Sequence, residues 1–259
     1  MHEFQRDFLV EDSKSDKIHH HGYHRIYPWF LKHFKDKEVR LLEVGIHETE
    51  SMRLWRGYFS KLIVHGLDID EKTFDDPNVE LHRVDQSKEG ELKAFIKSVG
   101  SSFDIIIDDG SHVPAHQILT LNHLWTLLSP GGIYIVEDIE TSYWGKSSIY
   151  GYDFNAKSKG SNFVKFAAQL IDIVNSEFSK KTSTEKGIGN FEKEIEMVTF
   201  AYNCVIFVKK DLDSFSQYYN RDYKRSHKIN SRSLYRRVPF LRRFFKRLNR
   251  YLKTPNAMW

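Results

Sequence analysis

Short runs of β-branched and aliphatic residues alternate along this chain with longer stretches whose apolar residues recur every three to four positions. Such runs predict strands at 39–45, 62–68, 79–85, 103–109 and 133–136, and the stretches predict helices within 52–59 and at about 89–99 and 114–128. Strands that alternate with helices in this way are typical of βαβ units and a parallel sheet. The uninterrupted Ile105-Ile106-Ile107 run is expected of a central strand that is covered on both faces.

The second half of the chain predicts how this sheet is completed. A loop at 140–160, rich in Tyr, Trp, Ser and Gly, is longer than a connection needs, so it is a candidate lid. A helix at 163–178 follows, and 195–202 with 204–209 have the pattern of a closing β-hairpin. We therefore expect an α/β fold with a doubly wound sheet, mostly parallel, that ends in an antiparallel hairpin.

Length and composition limit the class of protein. With 259 residues, of which 40% are apolar, the chain can form one large domain, and no apolar run approaches the roughly 20 residues that a membrane span needs. The polar N-terminus has no apolar signal segment, and the single Cys204 excludes an internal disulfide. We expect a cytoplasmic protein with an N-terminal helical segment at 1–38, a central domain at 39–210 and a tail at 211–259.

The charge of this tail differs from that of the body. Residues 223–259 contain twelve Lys or Arg and no acidic residue. The rest of the chain contains the other 27 of the 39 basic residues and all 35 acidic residues, so it is acidic overall. Within 236–253, apolar and basic residues fall on opposite faces of a predicted helix, the pattern of a segment that lies on an anionic membrane. Packing on a partner subunit and contact with nucleic acid are the competing interpretations.

Acidic residues end the predicted strands, where a doubly wound sheet binds its ligands. They are Glu43, Asp68, Asp85, Asp108, Asp109, Glu137 and Asp138. Asp68 is well placed to accept hydrogen bonds from ribose hydroxyls, and Gly45 allows close approach of a ligand, although some of these acids could simply cap helices. The loop at 46–51 lacks the glycine pattern of a dinucleotide site and contains Glu48 and Glu50, so a ribose cofactor without phosphate, such as S-adenosylmethionine, fits better.

A second group of these acids suggests a metal. Neighbouring parallel strands end side by side, so Asp109, Glu137 and Asp138 could converge on one Mg²⁺ ion. His112 would then stand beside the metal as a general base for a hydroxyl proton. The alternative is that the acids cap the next helix and that His112 is a surface histidine.

These residues are also where the chain resembles a known family, the Mg²⁺-dependent sugar O-methyltransferases of the macrocin, mycinamicin and rhamnosyl type, which are related to the cephalosporin hydroxylase group. The most specific match is Asp-Asp-Gly-Ser-His at 108–112, followed by Val-Glu-Asp-Ile at 136–139 and Thr-Ser-Tyr-Trp at 141–144. Weaker matches, spread from residue 15 to about 210, lie at 15–17, 21–27, 42–45, 52–59, 66–70, 85–87 and 130–132.

The resemblance implies a class I methyltransferase fold that uses S-adenosylmethionine and Mg²⁺. It implies metal binding by Asp109 and Asp138, with Glu137 as a ligand or close by, and a catalytic base in His112. The cofactor residues that it implies are Glu43, Gly45, Asp68, Asp85, Gln86 and Asp108. In the family the segment at 15–27 packs over the active site, so His21 and Tyr23 are candidate substrate contacts, with core packing of Tyr23 the alternative.

The expected function is sugar O-methylation, in bacterial surface-glycan biosynthesis, on a substrate that could be lipid-linked. The aromatic residues Tyr143, Trp144, Tyr150 and Tyr152 of the candidate lid suit stacking on sugars or ordinary packing. One alternative is a catalytically silent binding module at the membrane, and another is a nucleic-acid methyltransferase, against which the acidic body argues. We expect no nucleic-acid partner, and we expect a homo-oligomer.

Overall fold

A computed structural model of the protein describes residues 2–10, 13–144, 160–175 and 191–211. The chain divides into two compact units, Met1–Asp211 and Leu212–Trp259. The second unit lies outside the described residues, and with it the predicted basic helix at 236–253. Tyr150 and Tyr152 of the candidate lid also lie outside them.

The first unit is built on a seven-stranded sheet. Its strands are β1 (Glu38–Val44), β2 (Lys61–Asp68), β3 (Val79–Arg83), β4 (Phe103–Asp108), β5 (Leu128–Glu137), β6 (Ile195–Ala201) and β7 (Cys204–Lys209). Their spatial order is β3-β2-β1-β4-β5-β7-β6. β1 to β5 are parallel to their neighbours, whereas β7 is antiparallel to both β5 and β6. This arrangement confirms the predicted fold, and its order reverses between β1 and β4.

Helices cover both faces of this sheet. The α-helices are α1 (Glu3–Arg6), α2 (Asp16–His19), α3 (Tyr27–Leu31), α4 (Glu50–Tyr58), α5 (Glu89–Val99), α6 (Pro114–Leu124) and α7 (Phe163–Val174). Short 3₁₀ turns lie at Tyr23–Arg25, Lys32–Phe34, Trp125–Leu127, Ile139–Ser142 and Glu192–Glu194. None of the helices in the described ranges is long and apolar enough to cross a membrane.

Successive side chains of the central strands enter two separate cores. Ile106 packs on one face with residues of α5, α6 and α7, whereas Ile105 and Ile107 pack on the other with α4 and the N-terminal segment. Neither face of such a strand contacts solvent, so both sets of alternating side chains are apolar and the sequence is a continuous apolar run. On the second face, Phe8 and Tyr27 from the N-terminal segment are fully buried, so this segment is part of the core.

The boundary between α6 and β5 differs from the prediction. The α-helix ends at Leu124, and β5 already begins at Leu128, so the Ser-Pro-Gly-Gly stretch lies within the strand. The register of β5 on β4 shifts there, because Phe103 pairs with Leu128 and Ile105 pairs with Ile133. Gly131 takes a positive φ of 74° in this bulge, a conformation that glycine adopts without strain.

Gly45 makes the closest backbone approach at the end of β1. Its φ is +86°, and a Cβ atom built there would lie 2.1 Å from the carbonyl oxygen of Asp109. We expect Gly45→Ala to lower the free energy of unfolding by about 3 kcal/mol, since backbone rather than a movable side chain fills the space. Chemical denaturation measures the change. Gly90→Ala, in α5 with nothing within 4 Å of the new Cβ, is the control, and an equal loss in both variants would contradict the explanation.

Candidate active site

The carboxyl ends of β1, β4 and β5 bring three acidic positions to one edge of the sheet. Val44, Asp108 and Val136 lie side by side in the register of these strands. Glu43, Asp109 and Glu137 are their sequence neighbours, and Asp138 follows directly. The pairing of the strands therefore brings these strand-end acids close together, as the sequence predicted.

A lysine from the N-terminal segment occupies the centre of this edge. Lys17, in α2, is 1% exposed, and its Nζ lies 2.9 Å from both carboxylate oxygens of Glu137, 2.5 Å from Asp109 Oδ2 and 3.2 Å from Glu43 Oε1. No role was predicted for Lys17 from the sequence. The only sign of it was its place in the 15–17 stretch of the family resemblance, because one lysine among 39 basic residues has no distinguishing pattern.

Two tyrosines from the same segment donate hydrogen bonds to the strand-end acids. The Tyr27 hydroxyl donates to Glu137, and the Tyr23 hydroxyl donates to Asp138 Oδ1 at 3.0 Å. The rings of His21, Tyr23, Tyr27 and Trp55 form a continuous stack, with centroids 5.1 to 6.1 Å apart. Both tyrosines are buried, so they combine core packing with orientation of the acids.

Asp138 is held from several directions. Its Oδ1 accepts hydrogen bonds from Tyr23 and, at 2.9 Å, from Asn203 Nδ2 in the turn between β6 and β7, and His21 Nδ1 lies 3.2 Å away. Its other oxygen, Oδ2, is 3.8 Å from His112 Nε2. Asn203 was not predicted, since a hairpin turn 65 residues later gives no signal of this contact.

Asp109, His112 and Asp138 form the group best suited to a cation. One ligand atom from each lies within 4.8 Å of the others. His112 and Asp138 both have positive φ angles, 54° and 52°, which cost non-glycine residues roughly 1 kcal/mol or more each. Two strained residues in one small group are typical of a functional site.

Glu137, which the sequence analysis also proposed as a ligand, lies beside this group. Its carboxylate is 1% exposed, and it faces Lys17 and Tyr27. Ligation of a metal would therefore require Glu137 to share an oxygen that already contacts Lys17. Its place among the ligands stays a prediction.

The electrostatics of this edge show an excess of negative charge. Among the residues that the structure describes, the carboxyl groups of Glu43, Asp109, Glu137 and Asp138 lie around one ammonium group, that of Lys17. Burial, followed by the charges of Asp109 and Glu140, raises the pKa of Asp138 to about 8, and burial and Asp109 raise that of Glu137 well above its usual range. A divalent cation at the site would offset these charges.

His112 has the opposite shift. Burial lowers the pKa of its imidazole, although the nearby charges of Asp109 and Glu140 act to raise it. The ring is therefore neutral at pH 7 and can accept a proton, as a general base must.

The predicted cofactor residues fall into two sets. Asp68 and Gly45 lie at the sheet edge near the strand-order reversal. Asp68 Oδ2 accepts from the backbone N–H groups of Ile46 and His47, at 3.0 and 3.1 Å, and Oδ1 accepts from that of Asp70. A carboxylate has about four acceptor positions, so about one remains for a ligand hydroxyl. Asp68 thus shapes the loop after β1, in which His47 and Thr49 take the left-handed conformation without glycine.

The second set of predicted cofactor residues makes contacts within the protein. It comprises Glu43, Asp85, Gln86 and Asp108. Glu43 is fully buried, and its Oε2 accepts from Trp55 Nε1 at 2.9 Å. Gln86 donates to Asp108 Oδ1 at 3.1 Å, and burial raises the pKa of Asp108 to about 7. Asp85 Oδ1 accepts from the backbone N–H and the hydroxyl of Ser87, in the turn before α5, whereas the N-cap of that helix is Lys88. Direct contact of these four residues with a cofactor stays a prediction.

A pocket of about 410 Å³ opens next to Asp138. Its lining comes from the N-terminal segment, the turn after β5 and the β6–β7 hairpin: His20, His21, Ile139, Glu140, Tyr143, Ala201, Tyr202 and Asn203. His21 and Asn203 contact both the pocket and Asp138. Tyr143 and Tyr202 are largely exposed, so aromatic surface is available to a ligand beside the acidic group.

A second potential cation group, His65, Glu80 and His82, lies on β2 and β3. Arg40 Nη2 lies 3.0 Å from His65 Nε2, and since a guanidinium can only donate, that nitrogen accepts. The ring proton of neutral His65 is then on Nδ1, 3.2 Å from His82 Nε2. With its lone pair used on Arg40, His65 is part of a hydrogen-bonded chain and has no nitrogen free for a metal.

A sheet of this order, with a closing antiparallel hairpin and acidic residues at the ends of β1, β2 and β4, is the class I methyltransferase fold. The comparisons with known proteins agree. The MycE methyltransferase of the mycinamycin pathway, solved in complex with Mg and SAH, superposes with a TM-score of 0.64 at 25% identity, over 74% of this chain and 49% of that one. No family model matches.

Curated relatives are sugar O-methyltransferases. Over 167 residues the chain is 37% identical to 8-demethyl-8-alpha-L-rhamnosyl tetracenomycin-C 2'-O-methyltransferase of Streptomyces olivaceus, covering 61% of this chain and 42% of that one. Over 198 residues it is 34% identical to mycinamicin VI 2''-O-methyltransferase of Micromonospora griseorubida, covering 72% and 48%. The resemblance seen in the sequence is thus confirmed. The chain spans less than half the length of these relatives.

Proposed function

We propose that this chain is an S-adenosylmethionine-dependent, Mg²⁺-assisted O-methyltransferase that acts on a sugar hydroxyl. The observation that carries the proposal is the group of Asp109, His112 and Asp138 beside an open pocket, on a sheet of the methyltransferase class. The curated relatives and the Mg- and SAH-bound MycE structure support it.

The donor set fits the metal. Asp109 and Asp138 offer carboxylate oxygens, which Mg²⁺ prefers, and their closeness helps to raise the pKa of Asp138, an effect that a bound cation would oppose. His112 offers a nitrogen, a poor ligand for Mg²⁺, so we assign it the role of base. A bound cation would supply positive charge that stabilises the substrate oxygen as its proton leaves.

The cofactor site is proposed at the ends of β1 and β2. Gly45 lets the backbone of Asp109 approach the end of β1 closely, and Asp68 retains an acceptor position for a ribose hydroxyl. The cofactor supplies a methyl group on a sulfonium, which is reactive towards an oxygen nucleophile. The neighbouring positions Glu43, Asp85, Gln86 and Asp108 complete the proposed site.

The residues of this chain would then act mainly by position. Tyr23 and Asn203 hold Asp138 Oδ1, so that Oδ2 faces His112. His112, neutral because it is buried, accepts the proton of a hydroxyl that enters from the pocket. The exposed rings of Tyr143 and Tyr202 offer faces on which a sugar can stack.

Methyl transfer from labelled S-adenosylmethionine tests this function. We expect transfer to a rhamnosylated acceptor or to a glycolipid extract, dependent on Mg²⁺ and abolished by a chelator. Equilibrium binding of S-adenosylmethionine, measured in parallel, separates the alternatives. Binding without transfer to any acceptor would favour the silent binding module.

For the biological role we propose surface-glycan or glycolipid assembly in the cytoplasm, with the basic segment at 236–253 on the inner face of the membrane. The twelve cations and no acids of residues 223–259 support this role. Relatives that act on antibiotic glycosides make a small glycoside the second candidate substrate. Mass spectrometry of surface glycan from a deletion strain distinguishes them, since only the first role predicts the loss of one methyl group.

The basic segment gives a separate prediction. Removal of residues 235–259 is expected to release the protein from anionic liposomes, because each cation near such a surface contributes about 1 kcal/mol. Sedimentation with vesicles that contain 30% phosphatidylserine measures binding, and neutral vesicles are the control. A truncated chain that still sediments with the anionic vesicles would contradict the membrane assignment.

A further inference from the structure

The ammonium group of Lys17 is surrounded as a small metal ion would be. Four oxygens from Glu43, Asp109 and Glu137 lie within 3.2 Å of its Nζ, and the side chain is 1% exposed. These three acids come from three adjacent strands, so the position is set by the sheet. A lysine that served only to attach the N-terminal segment would need one such partner.

Asp109 belongs to both cation positions of the site. Its Oδ2 contacts Lys17, and its carboxylate is also part of the group with His112 and Asp138. Two-metal sites hold their ions about 3.5–4 Å apart, and a carboxylate has two oxygens with which it can serve two cations. Asp109 thus joins the position that the Lys17 ammonium fills to the one formed with His112 and Asp138.

The backbone conformation directs the consecutive acids Glu137 and Asp138 to different cation positions. Glu137 ends β5 and faces Lys17, whereas Asp138 has a positive φ of 52° and turns its Oδ2 towards His112. Neighbouring residues of an extended strand point to opposite faces, so the left-handed turn is what keeps both acids at one site. Glu137 thereby faces the ammonium group of Lys17, and Asp138 faces the proposed cation position beside His112.

From this geometry we propose that Lys17 is a positioning residue that replaces a second divalent cation, so that the site holds one such ion, between Asp109 and Asp138. The proposal rests on the metal site of the proposed function. A covalently attached cation cannot dissociate, so it keeps Glu43 and Glu137 in place whether or not the site is loaded. It also prevents these acids from drawing the single ion away from His112.

Titration with Mn²⁺, followed by calorimetry and by electron paramagnetic resonance, tests the inference on the full-length chain. Lys17→Met keeps the length of the side chain and removes its charge. We expect one Mn²⁺ per chain for the unaltered protein and two for Lys17→Met, with spin coupling between the two ions. Lys17→Arg should bind one ion. Lys35→Met, which removes a surface lysine paired with Asp7, is the matched control and should also bind one.

The outcomes separate this inference from the proposed function. One ion in Lys17→Met, bound as tightly as in the unaltered chain, would overturn the role of Lys17. No ion in the unaltered protein would count against the metal-assisted function, while a gain of one ion in the variant would still support the inference. If Lys17→Met is unfolded without metal, circular dichroism during Mn²⁺ addition decides: refolding supports the replacement of a cation, and a chain that stays unfolded refutes it.

Discussion

Exchange of His112 for asparagine is expected to lower kcat by about 10²–10⁴-fold, the usual contribution of a general base. The imidazole is largely enclosed but 13% exposed, neutral at pH 7 and 3.8 Å from Asp138 Oδ2. No other side chain of the Asp109–His112–Asp138 group can accept a hydroxyl proton while it holds a cation. Asparagine tolerates the positive φ at this position, so the loop should keep its shape. Single-turnover methyl transfer measures the rate.

Binding measurements complete this prediction. The Kd for S-adenosylmethionine should change less than threefold, because His112 lies on the side of the site that we assign to the substrate. His123→Asn, which removes a half-buried histidine on α6 that lies 3.5 Å from Glu89, is the control and should keep full activity. Full activity in His112→Asn would remove the assignment of the base.

Substitution of Asp138 by asparagine is expected to have two opposite effects. Loss of one negative ligand should weaken Mg²⁺ binding at least tenfold, and activity at fixed Mg²⁺ should fall with it. The metal-free protein, in contrast, should become more stable at pH 7. The pKa of Asp138 in the fold, about 8, lies above its ordinary 3.8, so at pH 7 the carboxyl must take up a proton as the chain folds. That proton uptake lowers the stability of the metal-free protein, and a neutral amide removes this cost.

The amide can preserve the contacts that orient the residue. Its oxygen can accept from Tyr23 and Asn203 as the carboxylate does, so a loss of packing is not expected. Relief of about 1 kcal/mol would raise the Tm of metal-free protein by roughly 2–4 °C. Asp70→Asn, an exposed strand-end acid, is the control and should leave both quantities unchanged. A metal-free Asp138→Asn protein with a lower Tm would contradict the charge argument.

The local pattern of apolar and polar residues was sufficient to predict most strands of the sheet. The uninterrupted Ile105-Ile106-Ile107 run predicted a central strand, and β4 lies in the middle of the sheet. The closing hairpin was predicted to within one residue of β6 and β7. The boundary between α6 and β5 was predicted wrongly, because a Ser-Pro-Gly-Gly stretch can either precede a strand or form a bulge within it, and only the pairing with β4 selects the bulge.

The sequence by itself determined which acids stand at strand ends, because strand periodicity is local and parallel strands end together. Only the tertiary structure decided what those acids contact. Lys17, Tyr23 and Asn203 reach Glu137 and Asp138 from positions 65 to 120 residues away along the chain. Likewise, Asp68 uses three of its acceptor positions on backbone N–H groups, two in the loop after β1 and one at Asp70. Contacts of this kind depend on how distant segments pack, and a buried charge takes whichever partners that packing provides.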